Sequence, residues 1–81
     1  MNVHVQLFAA AKDRAGTDIA ELQVSDDCTV GDIRSALLAK YSELEPIAAH
    51  LLFAVDDAYG TDETAVPSGA RLACFPPVSG G

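Results

Sequence analysis

The chain has 81 residues, five Lys and Arg against twelve Asp and Glu, and a formal net charge of −7. It is 49% hydrophobic and 21% charged, the balance of a folded domain with one core that buries roughly 60% of its unfolded surface, so a multidomain enzyme is excluded. The acidic balance repels phosphate backbones, which excludes nucleic acid as the expected partner and favours a protein with a basic surface.

No apolar run approaches the ~20 residues that span a bilayer. Met1-Asn2-Val3-His4-Val5 lacks the basic region and apolar stretch of a signal peptide. No membrane association and a cytoplasmic location are therefore expected. Cys28 and Cys74 form no CxxC pair. In that compartment they are expected as two reduced, buried thiols, with one disulfide as the alternative.

In chain order, residues 2–8 alternate Val3, Val5 and Leu7 with Asn2, His4 and Gln6, which predicts a strand with one wet face. The Ala-rich segment 9–15 suggests a helical turn before Gly16, and Gly16-Thr17-Asp18 leads into a second strand over 18–24, forming a hairpin-like pair. Thr29 with Asp32 three residues on forms an Asp version of the capping box. Val30, Ile33, Leu37 and Tyr41 then recur at helical spacing, with Arg34 and Lys40 off that stripe. Segment 43–49 contains Pro46 and reads as a loop or a short second helix. Residues 51–55 predict a compact apolar strand, Asp56-Asp57 a turn, and Ala58-Tyr59 a brief edge strand. Arg71 to Phe75 predicts the last strand, stopped by Pro76-Pro77. This order, together with the family resemblance given below, predicts an α+β ubiquitin-like β-grasp. A mixed sheet of four to five strands would pack on one main helix, with the first and last strands adjacent and parallel. Residues 1–75 form the domain and 76–81 an extended tail.

The tail carries the chemistry. From Leu72 to Gly81 the only ionisable side chain is the thiol of Cys74, and the chain ends Val78-Ser79-Gly80-Gly81. A frayed end is the plain alternative, but it does not account for the rigid pair Pro76-Pro77, which fixes two φ angles at the tail's root. Gly80 and Gly81 offer a thin backbone able to enter a narrow slot. The reactive group of such a tail is its own α-carboxylate, ionised and a poor electrophile at neutral pH. Activation as an acyl-adenylate needs a partner that binds ATP, because the chain has neither a GxxxxGK[ST] loop nor a GxGxxG fingerprint.

Phe75-Pro76-Pro77-Val78-Ser79-Gly80-Gly81 resembles the C-terminal signature of the MoaD-type sulfur carriers, the small subunits of molybdopterin synthase. Leu7-Phe8-Ala9-Ala10-Ala11-Lys12 followed by Gly16-Thr17 is similar to that family's first strand and turn. The resemblance implies that a MoeB-type enzyme, using ATP and Mg, adenylates Gly81. Gly81 then becomes a thiocarboxylate with sulfur from a donor protein. That sulfur is used inside the MoaE-type large subunit to build the dithiolene of molybdopterin. The chain is then a co-substrate rather than an enzyme by itself, and binds no cofactor or metal of its own.

In a β-grasp with Val3, Val5 and Leu7 inward, Phe8 shares the outer face with Phe75 beside the tail. Exposed aromatics there suit a binding hot spot, ordinary packing of strand ends being the alternative. The resemblance adds Tyr59 and Lys12 to this partner interface. His4 and His50 make no zinc site without paired cysteines, and Asp26-Asp27 precede the helix cap. Residues 41–70 hold six acids and no Lys or Arg, read as a solvated surface or as electrostatic guidance toward a partner. The rival readings are a sulfur carrier for thiamin, cysteine or tRNA thiolation, a ubiquitin-like protein modifier, and a plain interaction domain.

Overall fold

The fold is given by a computed structural model that describes residues 1–76. The tail residues Pro77, Val78, Ser79, Gly80 and Gly81 lie outside the described residues; Pro76 is the last of them. The alternation at the start forms strand β1, Asn2–Leu7, with Val3, Val5 and Leu7 buried. The Ala-rich segment forms more than a turn: α1 spans Ala9–Ala15 and is closed by Gly16 in the left-handed conformation, where a Cβ would be strained. Strand β2, Ile19–Gln23, runs back antiparallel to β1.

Helix α2, Val30–Lys40, buries Val30, Ile33 and Leu37. Its N-terminus carries the expected capping box: Asp32 accepts from the Thr29 N–H at 2.9 Å, and Thr29 Oγ1 accepts from the Asp32 N–H at 3.4 Å. The Val30 and Gly31 N–H groups donate to the carbonyls of Thr64 and Asp62, both at 2.9 Å. A Cβ on Gly31 would sit 3.2 Å from that Asp62 carbonyl, so glycine lets the 61–66 segment close on the helix. Beyond α2 a 3-10 turn, Ser42–Leu44, leads into the short α3, Glu45–Ala48, settling the choice between loop and helix. Pro46 lies in the first turn of α3, where its missing N–H costs nothing.

Strands β3 (Leu52–Val55), β4 (Ala58–Gly60) and β5 (Leu72–Phe75) complete a five-stranded sheet of order β2-β1-β5-β3-β4. The first and last strands are parallel neighbours, as expected for a β-grasp. Phe53, Leu7, Ile33, Leu37, Leu44, Val5 and Val30 fill the core between α2 and the inner face of the sheet.

Arg34 departs from its simple off-stripe reading. Its guanidinium donates to the carbonyls of Ala48 and Leu51 at 2.6 and 2.9 Å, pairs with Asp62 at 3.0 Å, and lies 5.0 Å from the Phe53 ring centroid. It ties α2 to α3, to β3 and to the 61–66 segment. Two of the six acids in 41–70 are therefore ion-paired rather than merely solvated: Asp62 with Arg34, and Asp57 with Arg71.

Candidate functional site

The outer face of the sheet is set by strand register. Ile19, Gln6, Ala73, Ala54 and Tyr59 form one row across all five strands. In the next row Leu52 pairs with Phe75. The Phe8 N–H donates to the Cys74 carbonyl at 3.2 Å, which fastens the end of β1 to the end of β5. Phe8 has an extended backbone, and the following Ala9 turns left-handed at φ 51. This abrupt change of direction opens α1 immediately after Phe8.

The result is an aromatic cluster at the end of β5. Phe8 and Phe75 stack with ring centroids 4.8 Å apart and planes 6° from parallel. Tyr59 meets Phe75 edge-on at 6.0 Å. Phe8 and Phe75 are half-buried, while Tyr59 is 72% exposed. Small Ala54 and Ala73 floor an open groove beside them, and Arg71 and Asp57 border it. A cluster of rigid rings with little else to pack on presents a ready contact surface to another protein. The sequence brings Phe8, Phe75 and Tyr59 together here. Lys12 is exposed and lines a separate depression with Asp13, Gly16, Thr17 and Asp18.

Leu52 is an apolar residue of this face that the sequence reading passed over, 40% exposed. Its signal was present: in Leu51–Val55 the alternation that buries Leu51 and Phe53 turns Leu52 outward.

Neither cysteine is a nucleophile in this setting. Both are free and buried. Burial pushes the Cys74 thiol up to about 12 against the opposing pull of Arg34, and burial together with Asp32 raises that of Cys28. His4 is exposed, 3.5 Å from Glu21, and His50 is exposed after α3. Among the described residues, no group of three or more His, Cys, Asp or Glu could hold a metal ion, and no helix is long and apolar enough to cross a membrane.

Comparison with known proteins gives these features a context. Residues 5–81 match the model of the ThiS family. The chain is 31% identical over 84 residues to the molybdopterin synthase sulfur carrier subunit of Drosophila yakuba, covering 100% of this chain and 92% of that one. Among solved structures, the small archaeal modifier protein 1 of Haloferax volcanii superposes with a TM-score of 0.84 at 28% identity, covering 95% of this chain and 98% of that one. A chain from the complex of subunits 1 and 2 of molybdopterin-converting factor from Helicobacter pylori superposes over 100% of both chains with a TM-score of 0.67. At 21% identity that likeness is one of fold.

Proposed function

This chain belongs to the ThiS family, and on that premise we propose that it is the sulfur-carrier subunit of a molybdopterin synthase, working in the cytoplasm with Gly81 as its reactive end. The observation that carries the reading is the aromatic cluster of Phe8, Tyr59 and Phe75 at the end of β5, one residue before the tail begins at Pro76. The names of the curated relatives point the same way.

The chemistry follows from the end group. An ionised carboxylate resists nucleophiles, so a MoeB-type partner activates it with ATP and Mg. A Gly81 carboxylate oxygen attacks the α-phosphorus of ATP, and pyrophosphate leaves. The terminal sulfur of a persulfide on a donor protein then displaces AMP. A thiol cleaves the resulting acyl disulfide to leave the thiocarboxylate and a disulfide. The MoaE-type large subunit takes the thiocarboxylate sulfur into the dithiolene while water returns the carboxylate. The chain's own thiols are poor candidates for the sulfur, since both are buried and protonated at neutral pH. Pro76-Pro77 stiffens the root of the tail and Gly80-Gly81 keeps its tip slender, which suits entry into a narrow active site. The aromatic cluster docks the domain so that the terminal carbonyl arrives in register.

Deletion of Gly81 tests this directly. The truncated chain should melt as the full chain does but support no ATP–pyrophosphate exchange with the activating enzyme; retained exchange would overturn the assignment. The likeness to small archaeal modifier protein 1 favours one other reading, a protein modifier joined through the same end to lysine amines. Intact mass after coexpression with the activating enzyme separates the two. A shift equal to oxygen-for-sulfur exchange supports the carrier, and larger covalent species support the modifier.

A further inference from the structure

Arg71 stands at the foot of β5 and borders the groove that Tyr59, Ala73 and Phe75 line. The chain has five Lys and Arg. Arg34 is bound into the interior and Lys40 Nζ donates to the Glu21 carbonyl at 2.7 Å. Among the described residues Arg71 is the one cation beside the aromatic groove.

Its backbone is held by the neighbouring turn. The β3–β4 turn is Asp56-Asp57, both left-handed, with φ 50 and 71. A turn of this hand is made at less backbone cost by Asn-Gly or Asp-Gly. Here both carboxylates are used on Arg71: Asp56 Oδ1 accepts from its N–H at 2.9 Å, and Asp57 Oδ2 accepts from its guanidinium at 2.7 Å. The Asp56 N–H also donates to the Arg71 carbonyl at 2.9 Å. Yet the ion pair is 78% and 79% exposed, so it adds little to folding stability. What the turn does achieve is to anchor the Arg71 backbone through Asp56 and to set the Asp57 carboxylate against its guanidinium beside an apolar groove.

We propose that Arg71 is a specificity-determining contact of this docking face, receiving a carboxylate that the large subunit presents beside the apolar side chain seated against Phe75 and Tyr59. This rests on the carrier reading above. Asp57 engages one guanidinium nitrogen, and the other donors of the fork remain free of bonds to the described residues. A guanidinium fork binds carboxylate in a fixed plane, which an ammonium does not reproduce. The rest of the groove is lined by neutral side chains apart from Asp57, so Arg71 is the one attractive point on it for an acidic side chain and also fixes the register of docking.

The test is calorimetric titration of the purified large subunit with the wild-type chain, Arg71→Ala and Arg71→Lys at low and high salt, with thermal melts of each. The account predicts that both variants melt like the wild type and bind about tenfold more weakly or worse, and that salt dependence is lost in Arg71→Ala but kept in Arg71→Lys, which retains the charge. If the wild type binds and Arg71→Ala binds equally well, the role of Arg71 is overturned and the carrier reading stands. Full affinity in Arg71→Lys alone would overturn the planar carboxylate contact. A wild type that fails to bind the large subunit would overturn the carrier reading and this inference with it.

Discussion

On the inner face of the sheet Val5, Leu7, Phe53 and Cys74 are at most 1% exposed, whereas on the outer face Tyr59, Ile19 and Leu52 keep 72%, 50% and 40% of their surface. The same strands supply both sets, because side chains alternate across a pleated sheet. Helix α2 covers the inner set, so its burial stabilises the fold. Nothing in the described residues covers Tyr59, and its contact with the stacked Phe8–Phe75 pair leaves it open to a second protein. One layer of backbone thus separates residues that fold the chain from residues available for recognition.

Inner-face substitutions should therefore act on stability. Phe53→Ala is expected to be the most damaging, at about 3–5 kcal/mol, from lost transfer energy and the cavity left behind. It also removes the ring over which Arg34 lies. Denaturant titration measures it, and a loss below about 1 kcal/mol would break the comparison. Arg34→Met should follow at about 1–3 kcal/mol, because the carbonyls of Ala48 and Leu51 lose their donor.

The buried thiol gives a pH signature. Folding raises the Cys74 pKa to about 12, above its ordinary value near 8.5 in an unfolded chain. Above the unfolded value the unfolded chain binds fewer protons than the folded one, so stability falls as pH rises. The contribution is fully present below about pH 8.5 and is lost progressively toward pH 12. Thermal midpoints across that window should fall less steeply in Cys74→Val, and identical slopes would contradict the burial assigned to this thiol.

How far these features could be read from the sequence depended on how local their causes are. The strands, the Thr29–Asp32 capping box and the meeting of Phe8 with Phe75 follow from short-range periodicity plus one parallel pairing. The full helix over Ala9–Ala15 was underestimated because seven residues without a capping side chain give a weak signal. Arg34 was missed for a different reason. Its partners Ala48, Leu51 and Asp62 lie 14, 17 and 28 residues away, and no local pattern links them. The same holds for Asp57 and Arg71, which register brings together across β3 and β5. The tail from Pro77 onward lies outside the described residues, so its role rests on its sequence and on family membership.

The smallest expected effect on stability is also the most direct test of the division between the two faces. Phe75→Arg should lower stability by about 1–2 kcal/mol, from its stacking contacts and the lost burial of a half-buried ring, part of which the Arg stem retains. Its affinity for the large subunit proposed as its partner, measured by calorimetry, should fall about 30-fold or more, as for a hot-spot residue. Unchanged affinity in a folded variant would contradict the claim that the outer face exists for docking.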